Sequence, residues 1–260
     1  GFDITLQLLD HHITGKSSAA KYDWYFLDDK RCATKIVFDY LLKEFKAPLN
    51  DYKEWVDTVN AVDIWLENEK KNFEFGKVLM SMVTKAREIN SILFNSLDRD
   101  FKFYLLKNSI GFLSLKDAPI VLDNSVHFLK KEFLKDGFDD TLDNLSASYL
   151  VKSLDKIKDD LTIYYNGQKG LMTYCLGAIS IPANSFLRAN SDYDFFIDIS
   201  RKGNASFRAD GKLDVSQLAS KLANGGGHVN ASGCKFDDFI DTINLQEVRA
   251  YIQNKLNNLK

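Results

Sequence analysis

Ile4-Thr5-Leu6-Gln7-Leu8-Leu9-Asp10-His11-His12 is the stretch on which the reading of the fold turns. Its apolar positions Ile4, Leu6, Leu8 and Leu9 predict a strand over residues 4–9. The strand ends in a carboxylate and two adjacent imidazoles, which make one corner of a divalent-metal site. Imidazole with carboxylate suits Mn²⁺ and similar ions better than a thiolate set would. One tripeptide supplies too few ligands for a whole site. By itself it equally describes a strand end with a hydrogen-bonded histidine.

Downstream the pattern turns helical. Ile36, Val37, Tyr40, Leu41 and Phe45 recur at helical spacing within residues 32–45, with Asp28 or Asp29 as N-terminal caps. Residues 51–66 carry Trp55, Val56, Val59, Val62 and Trp65 in the same manner, and residues 75–106 read as two amphipathic helices. Pro119 and Lys135-Asp136-Gly137 interrupt the chain before a further helix over residues 141–160. The character then changes. Residues 161–178 are β-rich around Asn166-Gly167, a strong hairpin signal. Phe195-Phe196-Ile197-Asp198-Ile199 and Ala205-Ser206-Phe207-Arg208 read as strands joined by a turn, and residues 215–222 as a short helix. The expected class is α/β. Residues 1–115 form a domain with a parallel sheet and helices, residues 116–160 a helical connector, and residues 161–260 a domain with a mixed sheet.

Composition sets outer limits. The chain has 260 residues, 45% of them hydrophobic and 13% aromatic, enough to bury one or two sizeable cores. A net charge of -2 provides no global field for long nucleic acid, although a short anionic ligand can still bind a local pocket. Cys32, Cys175 and Cys234 are far apart, form no CxxC pair and suggest neither a zinc knuckle nor a disulfide framework. That usage fits a reducing cytoplasm. No apolar run reaches the ~18–20 residues that span a bilayer.

Two further groups of residues point to anion chemistry. Gly225-Gly226-Gly227-His228-Val229-Asn230-Ala231-Ser232-Gly233 lets backbone N–H groups approach a ligand, and successive N–H groups can form an anion nest. His228 and Asn230 add side-chain donors, and Arg208 supplies a planar fork suited to phosphate. The competing reading is a plain glycine-rich turn between a helix and a strand. Asp63, in Asn60-Ala61-Val62-Asp63-Ile64-Trp65, is a carboxylate amid apolar residues, which is costly without a compensating cation or hydrogen bonds. A helix-surface aspartate is the plainer alternative.

Leu8-Leu9-Asp10-His11-His12, followed more than two hundred residues later by the 225–233 motif, resembles the DHH–DHHA1 phosphoesterases. The resemblance spans nearly the whole chain and is nearest to the nanoRNase, or oligoribonuclease, branch, also described as exopolyphosphatase-related. Cys32-Ala33-Thr34 matches the small-residue helix start after the DHH motif. Residues 60–65 match the stretch holding a later metal-binding aspartate, and Ser206-Phe207-Arg208 the substrate-binding strand.

The resemblance implies an enzyme with two Mn²⁺ ions that hydrolyses short oligoribonucleotides with metal-activated water. His11 and Asp63 would be metal ligands, His12 would contact the scissile phosphate, and Asp10 would orient a neighbour. Arg208, Gly225, Gly226, Gly227, His228 and Asn230 would hold the rest of the substrate, in a cleft that admits short or terminal substrates. The expected partner is a short oligonucleotide or nucleotide, with no long nucleic acid and no membrane; a homodimer is one option for its assembly. Family members also act on 3′-phosphoadenosine 5′-phosphate, cyclic dinucleotides or polyphosphate, and a non-catalytic nucleotide-binding protein is the alternative outside enzymology.

The sequence departs from the family pattern in two places. Asn224 stands where a fourth glycine is common, and asparagine tolerates the left-handed conformation such a position needs. The family's first aspartate motifs, which precede the DHH motif, are not present. Asp98-Arg99-Asp100 and Asp192-Tyr193-Asp194 match only as strings and follow that motif. The expectation is therefore two to three further strand–helix units upstream, on the order of 60–90 residues.

Overall fold

The structure is a computed structural model that describes residues 5–259, so the Ile4 end of the expected first strand lies outside the described residues. The chain divides into two compact units, Gly1–Ala86 with Lys102–Leu129, and Arg87–Phe101 with Lys130–Lys260. The stretch 116–160, expected to be a connector, is thus shared between the units rather than standing apart.

The first unit opens with β1 (Leu8–Asp10), α1 (Lys16–Ala19) and β2 (Tyr25–Leu27). The two strands pair in parallel with Leu8 opposite Tyr25 and Asp10 opposite Leu27. The pairing brings the carboxylate end of β1 level with the C-terminal end of β2. Helices α2 (Ala33–Phe45), α3 (Lys53–Asp63) and α4 (Lys70–Thr84) follow. Their buried faces hold Ile36 and Phe38 on α2, Val56, Ala61 and Val62 on α3, and Phe73, Phe75, Leu79 and Met82 on α4, whereas Val37, Phe45 and Trp65, expected on the apolar faces, are exposed.

The cap of α2 is a correction. Asp28 and Asp29 do not cap it; the Cys32 sulfur accepts from the Lys35 N–H at 3.4 Å. Asp28 instead accepts from Lys30 N at 2.9 Å and Arg31 Nε at 2.7 Å, so its carboxylate is already committed. The two helices expected within residues 75–106 are α4 and α5 (Asn95–Ser109), and α5 is followed by α6 (Ala118–Leu134). Pro119 does not interrupt a helix. It sits in the first turn of α6, where a missing N–H costs nothing.

The second unit contains α7 (Leu142–Asp155), α8 (Lys158–Leu161), β3 (Thr162–Tyr165), β4 (Gln168–Tyr174), α9 (Ser180–Ala189), β5 (Phe195–Ile199), β6 (Asn204–Ala209), α10 (Val215–Ala223), β7 (Gly226–His228), β8 (Ala231–Lys235) and α11 (Leu245–Asn257). The sheet order is β3-β4-β5-β6-β8-β7. It is mixed: β4 and β5 are parallel across the α9 crossover, and every other pair is antiparallel. The Asn166-Gly167 turn between β3 and β4 has φ of 48° and 80°, the pair of positive values that dipeptide adopts most readily. Phe195, Phe196, Ile197 and Phe207 are fully covered at the centre of the sheet.

Asp198 is the one carboxylate in that central strand. Its oxygens accept from Thr173 Oγ1 at 2.8 Å, Leu176 N at 2.9 Å and Gly177 N at 3.1 Å, so it fastens the turn that leads into α9. Burial pushes its carboxyl up, against the pull of those three donors.

Candidate functional site

In the first unit the Asp10 carboxylate organises the tripeptide around itself. Oδ1 accepts from the backbone N–H of His11 at 2.7 Å and of His12 at 3.1 Å, and from His12 Nδ1 at 2.8 Å. Oδ2 accepts from the Tyr25 hydroxyl at 2.5 Å. The Tyr25 and His12 bonds hold the Asp10 carboxyl well below the usual carboxylate range. Gly15 makes this approach possible, because a Cβ there would lie 2.0 Å from the Tyr25 hydroxyl.

The hydrogen bonds also assign the imidazole protons. His12 donates through Nδ1 to Asp10, which leaves its Nε2 as the acceptor for His11 Nε2–H at 3.3 Å. His11 Nδ1 then carries a bare lone pair. That atom is buried, makes no hydrogen bond among the described residues, and lies 3.4 Å from Asp63 Oδ2.

Asp63 reaches this position as the last residue of α3. Asn60, one turn earlier, accepts the Cys32 N–H through Oδ1 at 2.8 Å and ties α3 to the start of α2. Farther back on α3, Trp55 donates through Nε1 to Ser109 Oγ at 3.1 Å. Asp63 is 47% exposed and His12 70% exposed, so both face solvent while His11 is recessed.

An unpaired imidazole nitrogen beside a carboxylate oxygen fits a divalent cation. Ligand bonds of about 2.1 Å at tetrahedral to octahedral angles set neighbouring donors about 3.0–3.4 Å apart. The structure thus brings together the two residues read as ligands. Among the described residues no group of three or more His, Cys, Asp or Glu side chains could hold a metal. Cys32 nearby is buried, its Sγ accepts from the Lys35 N–H, and burial, with the Asp63 charge, pushes its thiol up.

In the second unit Arg208 lies half-buried on β6. Its Nη1 donates to the Phe207 carbonyl at 2.7 Å and its Nη2 to Ser180 Oγ at 2.9 Å, which fixes the plane of the guanidinium. It shares a cavity of about 480 Å³ with Arg188, Asn184, Ser185 and Asn230. Asn230 accepts Gly211 N through Oδ1 at 2.9 Å.

The glycine run differs from expectation. Gly226, Gly227 and exposed His228 form β7, hydrogen-bonded to β8, with Gly226 opposite Gly233 and His228 opposite Ala231. Gly225 donates its N–H to the Ala219 carbonyl at 3.0 Å, closing α10. Along a strand successive N–H groups point to opposite sides, so this segment does not build the expected anion nest. Gly225 and Gly227 allow close packing against β8, where a Cβ would meet the Gly233 and Ala231 carbonyl oxygens, while Gly226 faces open space. Asn224 adopts the left-handed conformation at φ 50°, as its side chain allows.

Tyr25 and Ser180 are the residues that sequence reasoning did not single out. Each is an ordinary residue in an ordinary local context. Only its contact with Asp10 or Arg208 marks it.

We expect Tyr25→Phe to leave Asp10 with one strong donor fewer. A carboxylate with a depressed pKa contributes stability above its unfolded pKa and loses it as pH falls through the folded value. The variant should therefore be less stable than the parent above about pH 4, and the difference should shrink as pH falls below the usual carboxylate range, in unfolding midpoints measured from neutral to acid pH.

A scan against descriptions of known protein families matches none. The chain is 41% identical over 261 residues to a 3′,5′-cyclic-nucleotide phosphodiesterase from Helicobacter pylori, a match covering 98% of this chain and 75% of that protein. It is 24% identical over 248 residues to the oligoribonuclease NrnB from Bacillus subtilis, covering 90% of this chain and 53% of that one, so it spans about half the length of this second relative. A crystal structure of a protein from Helicobacter pylori G27 superposes with a TM-score of 0.89 at 41% identity, over 99% of this chain and 76% of that one. Among the described residues no helix is long and apolar enough to cross a membrane. The Asp10-His11-His12 corner and the 41% identity to that phosphodiesterase lead to one assignment: the chain belongs to the DHH phosphoesterase family and is a phosphoester hydrolase.

Proposed function

We propose that this chain hydrolyses small nucleotide phosphodiesters with two bound Mn²⁺ ions, of which His11 and Asp63 hold at least one. The observation that carries the reading is the bare, buried His11 Nδ1 beside the Asp63 carboxylate. When bound, a divalent ion supplies a lowered pKa for the attacking water and neutralises charge on the phosphoryl oxygens.

The protein's own residues do the remaining work. Asp10 and Tyr25 hold His12 in one orientation, with its ring exposed to a substrate. In the second unit Ser180 presents the Arg208 fork to a substrate phosphate, and Asn230 lines the same cavity.

The 41% relative, named for 3′,5′-cyclic nucleotides, makes cyclic nucleoside monophosphates the first substrates to test. Short oligoribonucleotides are the second reading, favoured by the NrnB likeness. A panel of 3′,5′-cyclic AMP, 3′,5′-cyclic GMP, a linear diadenylate and a pentaribonucleotide, assayed with and without Mn²⁺, tests both. We expect turnover of at least one that disappears with chelator. No turnover of any, or turnover indifferent to chelator, would reject the proposal.

Arg208→Ala should raise KM by roughly 10–100-fold, the effect of losing one or two charge-assisted hydrogen bonds, with kcat changing far less. An unchanged KM would remove Arg208 from the site.

A further inference from the structure

A second cavity adjoins the one that holds Arg208. It measures about 450 Å³, and both cavities are lined by Ser180 and Ile181. Its walls are of a different kind: Ala147, Leu150, Leu176, Ala178 and Pro182 supply apolar surface. The wall at residues 175–178 is held from behind. Asp198 accepts the N–H groups of Leu176 and Gly177, and Asn90 Nδ2 donates to the Cys175 carbonyl at 2.6 Å. Cys175 keeps a positive φ of 58° there, a conformation that needs such support.

Glu88 also lines this second cavity. Its Oε1 accepts from Lys130 Nζ at 2.6 Å, and the two side chains are only 15% and 10% exposed. Its other oxygen, Oε2, is buried and has no hydrogen-bond partner among the described residues. A buried carboxylate oxygen without a donor is costly, a cost that a ligand donor would relieve once Glu88 turns this oxygen toward the cavity. Apolar walls, a polar side formed by Glu88, Arg87, Asn90 and Asp143, and an adjoining phosphate fork match the parts of a nucleotide.

From this arrangement we infer that the second cavity holds the nucleobase of a substrate whose phosphate sits at Arg208. Glu88 Oε2 then selects bases that present an N–H donor on their Watson–Crick edge. The inference rests on the reading of Arg208 as a phosphate contact, which is tested separately below.

The test is titration calorimetry of the full chain with three probes. AMP carries phosphate and an amino-bearing base. Purine riboside 5′-monophosphate carries the same ring without the amino group or any ring N–H. Ribose 5-phosphate carries no base. We expect AMP to bind about tenfold tighter than the purine riboside compound, as one hydrogen bond to a charged acceptor predicts.

In the double variant Glu88→Leu, Lys130→Met the difference should fall below about threefold. Exchanging a buried ion pair for apolar side chains is often neutral for stability, so folding should survive. Ala178→Trp, a substitution at the exposed wall of this cavity alone, should bring AMP toward the affinity of ribose 5-phosphate while leaving the latter unchanged. Equal binding of AMP and the purine riboside compound to the parent chain overturns the inference, as does a difference that survives in the double variant. Ribose 5-phosphate affinity unchanged by Arg208→Ala overturns the phosphate reading instead, so the two failures are distinguishable.

Discussion

His11→Ala is expected to abolish tight Mn²⁺ binding and to lower phosphodiester turnover by at least about 100-fold, the upper end of the effect of losing a residue that merely supports a ligand. The reason is local. His11 Nδ1 is the one imidazole nitrogen of the tripeptide left without a proton or a hydrogen bond, because the relay through His12 to Asp10 consumes the others. Alanine removes that donor and leaves the Asp63 carboxylate without its neighbour at 3.4 Å. Mn²⁺ binding followed by calorimetry or paramagnetic resonance reads the ligand role without reference to turnover. The effect should be specific to the imidazole: the folded structure should persist, since His11 contributes no hydrogen bond to the core. Unchanged Mn²⁺ affinity in this variant would mean that the pair with Asp63 is not a metal site.

The largest structural effect is expected at the other end of the chain. Gly227→Ala should destabilise the second unit by about 2–6 kcal/mol, combining backbone strain of about 1–3 kcal/mol with overpacking of about 1–3 kcal/mol. Gly227 has φ 147°, where side chains are rarely tolerated. A Cβ there would lie 2.5 Å from the Ala231 carbonyl oxygen and 2.7 Å from Ser232 Cα, both on the paired strand. Backbone atoms cannot rotate away, so β7 must separate from β8. The connecting turn carries Asn230, whose carbonyl accepts Ala209 N at 3.1 Å and whose side chain accepts Gly211 N. Loss of the hairpin should therefore disturb the Arg208 cavity as well. Denaturant unfolding measures the stability change, and a shift below about 0.5 kcal/mol would contradict the packing argument.

Much of the fold was legible because its signals are local. Phe195–Ile199 is apolar enough to read as a buried strand, and the structure covers all of it. Asn166-Gly167 names its own turn. Thr141 stands where an N-cap is needed, and its hydroxyl accepts the Asn144 N–H at 3.4 Å. The elements that escaped have weak or contrary local patterns. β2 is three residues long, too short to show a period. α9 carries Pro182 in its first turn, which reads as a break but is compatible with a helix start. α11 follows a polar stretch and has low hydrophobic content, so its buried Val248, Ile252 and Leu256 are easy to overlook. The glycine run was ambiguous for a different reason: glycine permits both a nest and a tightly packed strand, and only the partner strand decides between them.

By itself, the amino-acid sequence determined what near neighbours can settle: the helical and extended periods, the hairpin turn and the order of the family's motifs. It also determined that Asp10, His11 and His12 act together, since adjacent residues at a strand end cannot be far apart. Only the tertiary structure decided that His11 meets Asp63, that Tyr25 fastens Asp10, that Ser180 aims Arg208, and that Glu88 lines the adjoining cavity. These pairs are distant in the chain and carry no mutual spacing signal. Their proximity follows from how helices and strands pack, a property of the whole buried surface rather than of any short stretch.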